Sequence, residues 1–490
     1  MSFRETVARW IAPDAVKPSA SVYNSAATGR RAGGWNPPKS AINSAIYQDG
    51  ELLRARARDA VRQNWAAANG VECWVSSAIG TGIVPRSAHP DRAVRERLAA
   101  AWELFSSTSD ADGCTNIYGQ QRIALQGVVE AGEVFARRRW RRMSDGLAVP
   151  LQIQLLESEH APYSMSTKAD NGNEIVMGIE LDGIGRRVAY HLYRNHPDET
   201  TFFRRDIGTV RIPAAEILHV FRPVRPGQKR GITWLSSSLL KLRDIEAYSD
   251  ATLVRKKLSS MVVWWMTEPN PDDPVFQATE QDVDGEDMYE LQPGSVIRTK
   301  PGEKPEMSDP VIGDDSGFMK QELHFVAAAM GITYEMLTGD LEGVNLSSIR
   351  AGILEFRRRC EAMLWTMFIH QFCDPVWRWF VEACAMSGVI SERAFAADKA
   401  AFFAVTHHTP KWAWIDPLKD VQSEKEAIRG GLKSRTDAIL ALGEDPEATD
   451  ARIAEDRRRA DSLGLTFDTD AEIFHSQPAQ QSGKKKDDEE

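Results

Sequence analysis

Apolar positions recur at helical spacing along most of the chain, and the places where that spacing stops divide it. Residues 1–39, rich in Ala, Ser, Gly and Pro, have no period, and "AATGRRAGGWNPPKSA" reads as an extended, partly mobile arm. Helical spacing then holds over 49–79 and 89–107, with Asp49 and Pro90 suited to helix starts. A third helix, 116–132, runs into the strand-like "EVFARRRWRR" (133–142).

From 148 to 222 the period shortens to two. "AVPLQIQLLE" reads as a strand, and "NEIVMGIELDGIGRRVAYHLYRN" reads as a hairpin whose "DGIG" supplies residues that allow positive φ. "RIPAAEILHVFRP" closes an α+β region. A long helix is expected over 233–266, with Leu239, Leu242, Ile245 and Ala251 among its apolar positions. The segment after it, to about 310, is dense in Pro, Gly and acid, with short strands expected around "MYEL" and "SVIRTK".

The next helix is 316–337, followed by the small, polar "TGDLEGVNLS" and a helix that starts behind an Asn/Ser cap. Ile349, Ile353, Phe356, Cys360, Met363 and Met367 form one apolar stripe, and Leu364, Phe368 and Phe372 a second beside it. If continuous from 347 to 386, this helix would be about 60 Å long. Pro375 should kink or break it near 371, because its ring clashes with the carbonyl four residues back. Arg350 and Arg357 lie seven apart and share a face, with Arg358 and Arg359 beside them. Two short amphipathic helices are expected over 416–465, then a tail too polar to fold. No internal repeat is visible.

Composition narrows the function. The 490 residues suffice for two or more cores, and 42% hydrophobic with 27% charged is an ordinary globular balance. The formal net charge of −10 argues against tight wrapping of nucleic acid, which requires many cationic phosphate contacts. Five cysteines (Cys73, Cys114, Cys360, Cys373 and Cys384), odd in number and without a C-x-x-C pair, read as buried thiols in a reducing compartment. "MSFRETVARWIAP" lacks the apolar core of a signal peptide, and "MVVWWM" is too short to span a bilayer, so a soluble intracellular product is expected.

Catalytic patterns are weak. "RGGLKS" (429–434) has Leu where a phosphate-binding loop needs Gly, and "AIGTGIVP" offers only a turn. "DVDGED" (282–287) has Gly285 at the fourth position and Pro293 where a calcium loop needs its bidentate Glu, so a solvated acidic loop is favoured. His407 and His408 are adjacent on a strand and point to opposite faces, which suits no shared metal. Glu157, Glu159 and His160 could do acid–base work, but no nucleophile lies near them. No catalytic, cofactor or metal residue is assigned.

Four stretches, in order, resemble the lambda-type portal proteins of tailed bacteriophages: "LLRARARDAVRQNWAAANGVECWVSSAIGTGI", "MGIELDGIGRRVAYHLY", "RIPAAEILHVFRPVRPGQKRGITWLSS" and "AAAMGITYEMLTGDLEGVNLSSIRAGILEFRRR". The likeness runs from about 20 to 465. It implies an α+β portal-type subunit: N-terminal arm (1–39), mixed wing (40–232), stem helix (233–266), small β-containing clip (267–315), second stem helix (316–337), tunnel loop (338–347), long kinked helix and wing return (348–415), helical crown (416–465) and disordered tail (466–490).

The same resemblance implies a twelve-subunit ring at the virion's capsid vertex, assembled in the host bacterial cytoplasm and not in a membrane. Double-stranded DNA would pass through it, held weakly and without sequence preference. The large terminase subunit, head–tail connectors and the major capsid protein would dock on it. In the tunnel loop, Gly339 and Gly343 would give backbone freedom, Asn345 and Ser347 could donate to phosphates, Asp340 and Glu342 would repel them, and Val344 lies between. A plain capped helix–helix turn explains the same composition. Arg255, Lys256 and Lys257 could ring the channel with positive charge, or form a solvated face or an intersubunit ion pair. On residues alone, a nucleotide- or metal-dependent enzyme and a monomeric binding module are the competing classes.

Overall fold

A computed structural model describes residues 37–199, 208–260, 264–267, 280–281, 287–288, 296–299, 316–410, 412, 417–444 and 446–466. The arm to residue 36, the tail from 467, the acidic calcium-like loop at 282–286 and most of the segment 267–315 lie outside them.

The helical pattern expected over 49–79 is two helices. α1 (Ile42–Gln63) and α2 (Trp65–Ala78) meet at Asn64, whose backbone is extended and whose side-chain oxygen accepts the Ala66 and Ala67 N–H groups at 3.0 and 3.2 Å. An Asn cap thus interrupts a hydrophobic pattern that carries on past it. After β1 (Val84–Ser87), α3 (Arg92–Thr108) starts behind Asp91, which caps the Ala93 N–H, rather than at Pro90. α4 (Ile117–Ala131) is capped by Asn116 and ends at Gly132. β2 (Glu133–Trp140) follows at once, then β3 (Leu151–Glu157).

The expected hairpin over 173–195 has an extra turn. β4 (Thr167–Lys168), β5 (Glu174–Val176), β6 (Ile179–Leu181), β7 (Arg187–Tyr193) and β8 (Thr209–Pro213) form a five-stranded antiparallel meander. Met177 and Gly178, both at positive φ, join β5 to β6 in a two-residue turn. β9 (Ile217–Phe221) and β3 flank β2 in a separate antiparallel sheet. Phe135, Leu156, Tyr190, Leu192 and Ile212 fill the space between the sheets.

The helix expected to 266 ends earlier. α5 spans Leu239–Ser260, and Trp264–Thr267 is a strand, β10. β11 (Glu280–Gln281) pairs antiparallel with β12 (Asp287–Met288), while β13 (Val296–Thr299) pairs parallel with β10. α6 (Ser316–Met330) stops at Gly331 (φ +76°), short of the expected 337, and α7 (Tyr334–Thr338) is a separate turn of helix. α8 (Leu346–Met363) passes into a π-helical segment, Leu364–Cys373, and then α9 (Asp374–Met386). The break expected near 371 is therefore a widening: the Asp374 N–H reaches back five residues to the Ile369 carbonyl, and Pro375 sits in the first turn of α9, where its missing N–H costs nothing.

α10 (Glu392–Ala397) and α11 (Lys399–Phe403) lead to β14 (Val405–His408), which returns to pair antiparallel with β1. The C-terminal part has three helices rather than two: α12 (Pro417–Arg429), α13 (Arg435–Ala441) and α14 (Pro446–Leu463).

One large core joins α2 to α6, α8, the π segment and α9 over the β2–β3–β9 sheet. Trp74 sits edge-on to both Trp234 and Phe356 at 5.0 Å, tying α2, the short 3-10 turn before α5 and α8 together. Cys360, Cys373 and Cys384 are buried in this core, and burial pushes their thiols up, Cys360 to about 12; Cys114, against expectation, is exposed.

A buried polar hub fixes the approach to α5. Glu133 accepts from Arg230 Nε at 2.7 Å, His219 Nε2 at 2.8 Å, the Gly231 N–H at 2.7 Å and Ser158 Oγ at 2.5 Å. Arg230 also donates to the Ala161, Met177 and Ser158 carbonyls at 3.0, 2.8 and 3.1 Å and lies 4.2 Å over the Tyr163 ring. Burial pushes the Glu133 carboxyl up, but Arg230 and His219 outweigh it and hold it well below the usual carboxylate range. Both flanking glycines are sterically required: a Cβ on Gly132 would lie 2.4 Å from the Ile232 carbonyl carbon, and one on Gly231 2.1 Å from the Gly132 oxygen.

Candidate functional site

The small, polar stretch after α7 is a seven-residue connection, Gly339–Asn345, because Thr338 closes α7 and Leu346 and Ser347 already belong to α8. Gly339 (φ +72°) ends α7, its N–H reaching the Glu335 carbonyl at 2.8 Å. Asn345 caps α8 through the Ser348 N–H at 2.8 Å. Between them Asp340 is tied on three sides: its carboxylate accepts the Glu342 N–H at 2.9 Å, the Tyr334 hydroxyl at 3.1 Å and Lys320 Nζ at 3.5 Å. The Glu342 N–H, then Tyr334 and Lys320, hold its carboxyl below the ordinary value. Glu342, Gly343 and Ser347 are exposed, as is Leu341, and Val344 is half-buried. Gly339, Asp340 and Asn345 are thus spent on local structure, while the Glu342 and Ser347 side chains are exposed.

The ends of this loop are anchored by residues with no local sequence signal for it. Asn69, on α2, donates to the Met336 and Leu337 carbonyls at 2.9 and 2.7 Å, and Trp74 Nε1 to the Met330 carbonyl at 2.9 Å. Arg359 Nη1 donates to the Gly331 carbonyl at 3.1 Å. The other arginines of α8 are committed as well: Arg350 lies 3.6 Å from Asp420, and Arg357 lies over the Trp412 ring at 5.1 Å. That shared face meets α12 and Trp412, which precedes it.

Arg255, Lys256 and Lys257 occupy the last turns of α5, where the helix dipole favours cations. Lys256 and Lys257 are exposed and Arg255 is half-buried. Successive helical residues are about 100° apart, so the three fan around the helix and do not line one surface.

α5 and α6 run antiparallel, with Lys241 Nζ 2.5 Å from Glu322 Oε2 and the Tyr248 and Phe318 rings 5.1 Å apart. Each carries a second apolar stripe. On α5, Leu242 and Ile245 are buried, while Leu240 (70% exposed), Ala247, Ala251 and Val254 lie along the far side at heptad-like spacing. On α6, Leu323, Val326 and Met330 are buried, while Phe318, Phe325 and Ala329 line the other side; both phenylalanines are 51% exposed, with Tyr248 and Lys241 of α5 against one part of their rings. Sequence reading placed apolar residues on α5 without separating the two faces.

The candidate chemical clusters are ion pairs. Glu157 and Glu159 are brought together with His196, not His160, but Arg58 bonds both carboxylates at 2.9 Å and Arg54 lies 3.0 Å from Glu159. His160 turns to the Glu157 carbonyl at 3.2 Å. His407 Nε2 lies 2.7 Å from Asp374. Neighbouring guanidinium groups disfavour a cation at the first cluster.

The profile described as "Phage portal protein, lambda family" matches residues 28–363. The chain belongs to that family. This portal subunit is 28% identical over 442 residues to the probable portal protein of Halomonas phage phiHAP-1, covering 86% of this chain and 82% of the relative. It is 21% identical over 495 residues to portal protein B of Escherichia phage lambda, covering 88% of each. Among solved structures, a neck of a native GTA particle computed with C12 symmetry superposes at TM-score 0.39 and 13% identity (81% of this chain, 94% of that one), and a virion of a native gene transfer agent particle at 0.41 and 12% (81% and 94%). Both superpositions are loose. The portal subunit is a virion component of the capsid vertex, and among its described residues no helix is long and apolar enough to cross a membrane.

Proposed function

We propose that twelve copies of this portal subunit close into a ring at one capsid vertex, through which double-stranded DNA enters during packaging and leaves during ejection. The observation that supports this reading is a pair of partly exposed apolar stripes. Leu240–Ala247–Ala251–Val254 on α5 and Phe318–Phe325–Ala329 on α6 are different surfaces of one subunit. One copy's α5 stripe set on its neighbour's α6 stripe is a heterologous contact, the kind that closes a cyclic ring.

In this reading residues 40–232 form the wing, α5 and α6 the stem, the segment between them the clip, and α12–α14 the crown. Gly339–Asn345 and the first turn of α8 face the passing duplex, where exposed Glu342 repels phosphate and Ser347 donates to it. The net charge of −10 keeps the contact weak enough for DNA to slide. Lys256 and Lys257 supply local positive potential near the end of α5. The clip meets the large terminase subunit and then head–tail connectors, the wing meets the major capsid protein, and assembly takes place in the bacterial cytoplasm. The subunit itself performs no chemistry.

Sedimentation velocity of the purified protein at micromolar concentration tests this, with ATP turnover assayed in parallel. A species of about twelve chains without turnover is expected. A stable monomer, or nucleotide hydrolysis by the pure protein, would contradict it.

A further inference from the structure

The end of β2 and the residues after it read Arg137-Arg138-Arg139-Trp140-Arg141-Arg142, five guanidinium groups in six positions of an acidic chain. Strand alternation divides them between two faces. Val134, Ala136 and Arg138 point into the large core, where Arg138 bonds Glu382 at 3.0 Å and stacks 4.6 Å from the Trp140 ring. Phe135, Arg137 and Arg139 point the other way. Phe135 is covered by the five-stranded sheet, and the strand leaves that cover as the arginines begin.

On this second face the register sets Arg137 opposite Gln154 and Arg139 opposite Gln152. Gln152 holds the Arg141 Nε at 2.7 Å. Within the run only Arg138 has, among the described residues, a carboxylate in ion-pair contact. Glu216 lies close enough to act on Arg137 electrostatically, and Asp145 bonds only the Arg142 main-chain N–H, at 3.0 Å. Burial, then the like charge of Arg139, push the Arg137 guanidinium down from its ordinary value, and its Nε is buried without a partner among the described residues. Two like charges on one strand face, offset only in part by Glu216 near Arg137, cost free energy in the isolated chain, and an anion laid across them reduces that cost.

We propose that this face, built on Arg137, Arg139 and Gln154, is a docking surface for the phosphate backbone of double-stranded DNA. Same-face residues on a strand are about 6.6 Å apart, and a DNA strand offers a phosphate every 3.4 Å or so of its axis, so neighbouring guanidinium groups can each take a phosphate. Planar guanidinium forks suit that geometry. Trp140 lies on the opposite face against Arg138, which removes the stacking platform that single strands require. The second face carries arginines and glutamines where a protein partner would need an apolar core to its interface. The surface lies on different elements from Gly339–Asn345, and its binding does not depend on that loop facing a channel.

Fluorescence anisotropy with a short mixed-sequence duplex, between about 50 and 200 mM salt, tests the full-length protein. Arg137→Gln with Arg139→Gln is expected to weaken binding several-fold and to flatten the slope of log affinity against log salt by about two, one for each phosphate contact removed. Arg137→Lys with Arg139→Lys keeps charge and should retain the slope. The single change Arg139→Gln, expected to remove about one from the slope, covers the case in which the pair does not fold. An unchanged slope in a folded variant would overturn the proposal. So would displacement of the duplex by a polyglutamate peptide at lower concentration than by unlabelled duplex, which would make the surface an acidic-protein site.

Discussion

Arg230 and Glu133 meet out of reach of water, Nε to Oε1 at 2.7 Å, with both side chains fully buried and 97 positions apart in sequence. Glu133 opens β2 and Arg230 precedes the turn into α5, so this pair sets where the stem helix leaves the sheet. Removing one partner strands the other's charge. Arg230→Met is expected to cost about 3–5 kcal/mol, read as a lower urea midpoint. A midpoint within error of wild type would show that the hub does not hold the fold.

His219 makes stability depend on pH. Burial pushes its imidazole down to about 4 against the hydrogen bond to Glu133, and Nδ1 has no partner among the described residues, as suits a bare lone pair. The unfolded imidazole titrates near 6.5 or so. Between those values the unfolded chain binds the extra proton, so stability falls as pH drops from about 6.5 toward 4, by roughly 3 kcal/mol. The depressed carboxyl of Glu133 acts in the same direction below about 4.3, where the unfolded carboxylate protonates. Melting curves from pH 7.5 to 5 should shift steadily downward. His219→Gln should flatten that dependence by one proton, and an unflattened variant would assign the effect elsewhere.

Asn69 holds α7 by two side-chain bonds to its carbonyls. Asn69→Ala should cost roughly 1–2 kcal/mol, concentrated locally. Amide hydrogen exchange over 334–345 is expected to accelerate while α9 keeps its protection; uniform acceleration would mean the contact is global rather than local.

Gly339 holds φ +72°, and a Cβ at that position would meet nothing within 4 Å, so the penalty for Ala there is conformational rather than steric. Gly339→Ala should destabilise by about 1 kcal/mol, and Gly339→Asn by less, since Asn tolerates that region. Equal thermal stability for all three would indicate a loop that rearranges freely.

Much of the fold is legible locally. Asn116 and Gly132 mark both ends of α4, and Gly339 and Asn345 mark both sides of the loop, because capping chemistry lies within a few residues of what it caps. Asn64 does the same work, but it sits inside a hydrophobic pattern that continues on both sides, so the break there is hidden. Long-range pairs leave no such trace. Glu133 with Arg230, Asn69 with Leu337, and His196 in place of His160 beside Glu157 are brought together by the fold. The two faces of α5 are written in the sequence, yet only burial tells which one the subunit covers for itself.

Electron microscopy viewed down the particle axis tests the ring most directly, on wild-type protein and on Leu240→Glu with Val254→Glu. The wild type should give closed rings with a hole wide enough for a duplex, about 20 Å or more. The variant should remain folded by circular dichroism and give single subunits, because two charges buried in the stripe leave the α5–α6 contact unsatisfied. Compact wild-type particles without a hole, or intact rings in the variant, would contradict assembly through these helices.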